Sequence, residues 1–263
     1  MEVLIVDTPE AAAAFAAEAV LDGLRKHAGE NPVLGLATGS SPLGLYAELA
    51  AAAQRGEADF SDTVGFALDE YVGLEDTHEQ SYRQTLIREV CDVIGLPVEN
   101  LNVPNGHGES VEQIAAQATA YDEAIKAAGG VDVQILGIGA NGHLGFNEPA
   151  SSLRSRTRIK RLAAQTREDN ARFFDGLDRV PTHCVTQGLG TVQDARRLVL
   201  IALGSNKAEA IAAAIEGPLS ASCPGSVLQL HPDAVVVLDE AAAAGLKNRG
   251  YYDDAAAGLQ FGI

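Results

Sequence analysis

His143 and its neighbours carry the clearest capacity for chemistry in this sequence. The histidine follows Gly137-Ile138-Gly139-Ala140-Asn141-Gly142 and stands five positions before Glu148. General acid–base work near neutral pH suits an imidazole whose second nitrogen is oriented by a partner, and Glu148 is the candidate partner, with Asn141 beside it. A lone loop histidine is more often structural, but the glycine setting and the nearby carboxylate favour function here. The glycines match GxGxxG after an apolar strand. A dinucleotide site needs them to open a helix, whereas His143-Leu144-Gly145-Phe146-Asn147-Glu148-Pro149 is broken by Gly and Pro. They are expected instead to shape a loop that brings backbone close to a ligand.

Asp69 and Glu70 end another apolar run, so one should point into a crevice and the other away. A carboxylate in a partly dry pocket has a pKa above its usual ~3.9 and suits proton abstraction; two solvated loop acids are the plainer reading, and both stay open. Gly39-Ser40-Ser41-Pro42 offers small residues, two hydroxyls and free backbone N–H groups at a helix start, with Pro42 expected at its first position. That arrangement binds phosphate, although ordinary turn chemistry also accounts for it and the Gly-Lys-Ser/Thr ending of a Walker loop is missing. Lys207, at another helix start, supplies a cation for the same anion.

These clusters need a frame. Apolar strand-length runs at 2–6, 33–37, 64–68, 131–136, 198–203 and 234–238 alternate with Ala-rich helical stretches. One helix starts at Thr8-Pro9, one at Pro42, one at a Ser110/Gln113 capping box and one at Ser205. The pattern predicts an α/β fold, a single open, mostly parallel sheet with helices on both faces (a Rossmann-like three-layer sandwich), as one domain over 1–263 with no linker. All four polar clusters then fall at strand carboxyl ends, the edge where such sheets bind ligands.

Composition narrows the function classes. The 263 residues are 46% hydrophobic and 21% charged, with a net charge of −17, which disfavours nucleic acid and anionic membranes as partners. No apolar run approaches the ~20 residues a bilayer requires. Cys91, Cys184 and Cys223 form no CxxC pair and suggest neither a disulfide framework nor a sulfur-based metal site. Residues 2–6 read as a strand, not as a secretory signal, so the cytoplasm is the expected location.

Taken together, Leu68-Asp69-Glu70-Tyr71-Val72-Gly73-Leu74 and the block from Gly137 to Pro149 closely resemble the glucosamine-6-phosphate deaminase family. Leu36-Ala37-Thr38-Gly39-Ser40-Ser41-Pro42, Ser155-Arg156-Thr157-Arg158, Asn170-Ala171-Arg172-Phe173-Phe174, Gly204-Ser205-Asn206-Lys207-Ala208 and Leu228-Gln229-Leu230-His231-Pro232 extend the resemblance to about residue 240. It implies conversion of glucosamine 6-phosphate and water to fructose 6-phosphate and ammonia in amino-sugar catabolism, with no cofactor and no metal. In that scheme His143, with Glu148 and Asn141, serves ring opening and Asp69 moves the C2 proton. Gly39, Ser40, Ser41, Arg172 and Lys207 would bind the sugar phosphate.

The resemblance also implies a homo-oligomer, hexamers being known in the family. Ser151, Arg158 and Lys160 match positions where hexameric relatives bind an acetylated sugar phosphate as activator, while Arg161 replaces a small hydroxyl residue and argues for weak or absent activation. Arg156, Arg158 and Lys160 alternate, so an extended strand would put them on one face, suited to an anion. Asn141 departs from the aspartate of many relatives and cannot contribute charge to an imidazolium. Two rivals remain: a 6-phosphogluconolactonase-like hydrolase of the same fold, distinguished by ammonia release, and a non-catalytic sugar-phosphate-sensing module, which usually carries an additional partner-binding segment.

Overall fold

The computed structural model describes residues 1–29 and 31–259. Ten strands form: β1 (Glu2–Val6), β2 (Val33–Leu36), β3 (Val64–Ala67), β4 (Asp69–Tyr71), β5 (Leu101–Asn102), β6 (Val133–Leu136), β7 (Arg158–Arg161), β8 (His183–Thr186), β9 (Arg197–Ala202) and β10 (Ala234–Asp239). The helices are α1 (Pro9–His27), α2 (Ser40–Gln54), α3 (Tyr82–Leu86), α4 (Asp92–Ile94), α5 (Val111–Ala127), α6 (Ala164–Asn170), α7 (Leu189–Gln193), α8 (Ala208–Ile215), α9 (Glu240–Ala243) and α10 (Arg249–Leu259). Among the described residues no helix is long and apolar enough to cross a membrane.

Seven strands make an open parallel sheet in the order β1-β10-β9-β6-β2-β3-β5. Every residue of β2, β6, β9 and β10 is buried, as expected for parallel strands covered on both faces. Helix α1 packs across β6, β9 and β10. Its buried Ala12, Ala13, Ala16, Ala17 and Val20 recur at helical spacing, and Gly23 lies so close to β6 that a Cβ there would meet the Val133 side chain at 2.6 Å. The alanine runs thus let helix and sheet approach.

The sequence reading did not foresee a second sheet. After β3 the chain breaks at Leu68, whose N–H still reaches Leu36 O (3.2 Å) and whose carbonyl accepts from Gln187 N (2.7 Å). It then enters an antiparallel sheet in the order β4-β8-β7. Asp69, Thr186 and Arg158 form one cross-strand row, and Tyr71, Cys184 and Lys160 the next. Val185 and Ile159, on the opposite face, pack with Ile114 and Ala118 of α5.

Three local expectations are corrected. Helix α2 begins at Ser40 with Gly39 as its N-cap at φ +105°, so Pro42 is third in the helix; the first turn needs no N–H from it. Ser205 caps nothing: Gly204 at φ +88° precedes the turn Ser205–Lys207 that leads into α8. Arg156 lies before β7 and does not share its face, because Asp122 (3.0 Å) and Asp194 (2.6 Å) hold its guanidinium. The Ser110 cap forms, its hydroxyl accepting from Gln113 N, but the glutamine amide oxygen accepts from Glu109 N.

Candidate active site

From β2 the chain builds β3 and β5 to one side and, later, β6, β9 and β10 to the other. The topological switch lies between β2 and β6, where open α/β sheets have their crevice at the carboxyl edge. The four chemical clusters follow β9, β6, β2 and β3, four neighbouring strands, so the expected convergence on one edge is present.

The loop after β6 is tied to itself by Gly139 N donating to His143 O and Gly142 N to Gly139 O, both at 2.9 Å. Its glycines make room for side chains of the site. A Cβ on Gly139 would lie 2.1 Å from the His143 ring, so the imidazole rests on bare backbone. Gly145, at φ +53°, does the same for Asp69, whose Oδ2 would stand 3.2 Å from a Cβ there.

Asn141 orders this group. Its Nδ2 donates to Glu148 Oε2 at 2.8 Å; an ionised carboxylate only accepts, so the amide oxygen must face His143. That oxygen lies 2.7 Å from Nδ1, which therefore carries the proton and leaves the Nε2 lone pair free. Glu148 Oε2 is itself 3.6 Å from Nδ1, so the carboxylate pairs with the ring only when the imidazole takes up a second proton. Burial alone would push the Glu148 carboxyl up, but the donors around it (His143, Thr166 and Asn141) outweigh that and hold it at about 2.

Asp69 has the opposite setting. It is buried, no described residue donates a hydrogen bond to it, and desolvation, with Glu70 adding negative charge, pushes its pKa up to about 8. Glu70 turns away: Tyr71 N (2.7 Å), Tyr82 N (3.1 Å) and Arg83 N (2.9 Å) donate to it, so it fastens the start of α3. Of the two acids that the sequence left undecided, Asp69 faces the glycine loop and Glu70 holds a helix. Tyr71, Tyr82, Phe146 and Phe174 form an aromatic wall beside Asp69.

At α2, Ser40 is exposed and Ser41 half-buried, and no side chain caps the first N–H groups. Lys207 ends the turn after β9. Its position depends on Asp239, a residue the sequence reading missed: both carboxylate oxygens accept from Gly204 N, at 3.0 and 3.1 Å. A polar residue closing a buried strand at this edge was the available signal. Arg172, exposed in the turn after α6, lies over the Phe173 ring at 4.6 Å. Ser151 is buried, its hydroxyl without a partner among the described residues, Arg158 donates to Asn147 Oδ1 at 2.7 Å, and Lys160 is half-buried on β7. Among the described residues no group of three His, Cys, Asp or Glu could hold a metal ion.

Residues 7–237 match the family described as glucosamine-6-phosphate isomerases/6-phosphogluconolactonase. The chain belongs to that family. It is 52% identical to a glucosamine-6-phosphate deaminase of Cutibacterium acnes, covering 96% of this chain and 95% of the relative. Its fold matches the solved structure of a monomeric glucosamine-6-phosphate deaminase with a TM-score of 0.87 and 36% identity, covering 94% of this chain and all of the other. A 6-phosphogluconolactonase from Trypanosoma brucei superposes with a TM-score of 0.69 at 17% identity, covering 93% of this chain and 98% of that one; this likeness shows that the isomerase/lactonase family shares one frame.

Proposed function

We propose that the chain is a glucosamine-6-phosphate deaminase, converting glucosamine 6-phosphate and water to fructose 6-phosphate and ammonia without a metal or cofactor. The observation that carries this reading is one glycine loop seating two proton-handling groups, His143 over Gly139 and Asp69 against Gly145. The relative that is 52% identical supports it by name.

The reaction needs two proton transfers of different kinds. With Nδ1–H committed to Asn141, His143 Nε2 accepts the anomeric hydroxyl proton as the ring C–O bond breaks and returns it to the ring oxygen. Asp69 then removes the C2 proton; its electron pair becomes the C1–C2 double bond as the C1=O π pair moves to O1, which takes a proton from the C2 ammonium, and Asp69 returns its proton to C1 as the nitrogen lone pair forms the C2=N bond. The nitrogen at C2 is now an imine; water adds, and ammonia leaves. The substrate ammonium places positive charge beside Asp69 and favours the ionised form of this otherwise desolvated carboxyl. Ser40, Ser41, the N–H groups of α2, Lys207 and Arg172 hold the phosphate, and that remote binding energy aligns the reacting carbons.

All these groups come from one chain, and the similar solved deaminase is described as monomeric, so the chemistry requires no second copy even where a homo-oligomer forms. Composition and scattered cysteines support a cytoplasmic site of action. The deciding experiment measures ammonia and fructose 6-phosphate from glucosamine 6-phosphate with purified protein. Hydrolysis of a sugar-phosphate lactone without ammonia from the amino sugar overturns the reading.

A further inference from the structure

Thr166 has no part in the steps above, yet it holds the carboxylate on which His143 depends. Its Oγ1 donates to Glu148 Oε1 at 2.5 Å, while Asn141 takes Oε2. One carboxylate is thus shared between two elements, the glycine loop through Asn141 and α6 through Thr166. Thr166 and Glu148 are 8% and 9% exposed, so solvent does not freely replace a missing hydroxyl. The other titratable groups that act on this carboxylate are His143 on its own loop and Cys184 on β8; neither donates to Oε1.

The same helix reaches the other half of the site. Asn170, its last residue, donates to the Tyr71 hydroxyl at 3.0 Å, and Tyr71 shares the sheet face of Asp69 two residues before it. Arg172 follows in the next turn.

We infer that Thr166 is a positioning residue: its hydroxyl fixes the rotation of the Glu148 carboxylate, which keeps Asn141, and through it the His143 imidazole, in line for ring opening. The step it serves rests on the deaminase reading; the geometry does not. Helix α6 is therefore tied into the acid–base apparatus.

Thr166→Val keeps the β-branched shape and removes the hydroxyl, and Thr166→Ser does the reverse. With glucosamine 6-phosphate, Thr166→Val should lower kcat roughly tenfold with KM changed less than about twofold, and Thr166→Ser should stay within about threefold of wild type. A 13C carboxyl titration separates positioning from packing: lacking a donor to its ionised form, Glu148 should protonate at higher pH in Thr166→Val than in wild type or Thr166→Ser. An unmoved Glu148 titration in Thr166→Val, whatever the rate, overturns the inference, as do equal losses in the two variants. Wild-type protein that releases no ammonia while the titration still moves in Thr166→Val refutes the deaminase reading and leaves the positioning role standing.

Discussion

Asp69 concentrates the cost of the site in one side chain. Its pKa of about 8 stands far above the 3.8 of a free aspartate, so between those values the folded protein holds a proton that the unfolded chain releases. Stability must fall as pH rises through that window. Asp69→Asn, neutral at every pH, should escape the penalty: its unfolding free energy from denaturant titration should exceed that of wild type by on the order of a few kcal/mol at pH 9, and the two should converge near pH 4. A pH-independent difference would show that the carboxyl is not held protonated by burial. The same variant should lose ~10² to 10⁴ in turnover and stop exchanging solvent deuterium into the transferred position, while still binding phosphorylated sugar; wild-type exchange would remove Asp69 as the base. At the other end of the loop, Asn141→Asp sets a second carboxylate against Glu148, where the amide now donates at 2.8 Å. The pair should share a proton, so activity should survive within about tenfold while the acid limb of the pH–rate profile moves up. An unchanged profile would mean that Asn141 does not bridge the two groups in solution.

The elements that hold these residues were unequally legible. Strands β2, β9 and β10 carry apolar runs of strand length and announce themselves, as does β6 despite its buried Gln134; β4 and β8 are short and half polar, and their pairing joins positions over 100 residues apart, which no local pattern records. The sequence predicts a glycine-shaped loop after β6 that brings backbone close to a ligand, and the structure adds that two of its glycines seat the imidazole and the Asp69 carboxylate. Composition cannot distinguish a glycine that admits a ligand from one that seats a side chain, since both need only a missing Cβ. Thr166 left no trace at all, because its role exists only once α6 docks. The loop geometry makes its own prediction. Gly139→Ala drives a methyl into the His143 ring without demanding a forbidden φ, so the fold should survive, with an unchanged far-ultraviolet circular dichroism spectrum, while kcat falls ~10²-fold or more; near-wild-type activity would show that the ring does not need its seat on Gly139.

At the scale of the molecule, a net charge of −17 makes the folded state repel itself. Raising sodium chloride from 10 to 150 mM shortens the Debye length from ~30 to ~8 Å and should raise the melting temperature measurably; a flat response would show that the local ion pairs already neutralise the surface. The sheet adds a constraint of another kind. Among the described residues strand β1 pairs only with β10, and the last residue of β10, Asp239, also anchors the turn that presents Lys207. During synthesis at ~5–20 residues per second, the first strand off the ribosome waits roughly 10 to 50 seconds for its neighbour. The side of the crevice that carries Lys207 is fastened in that same late event. A nascent chain stalled before residue 234 would carry every proposed catalytic group and still lack a working enzyme, its two open strand edges marking it for chaperones and proteases.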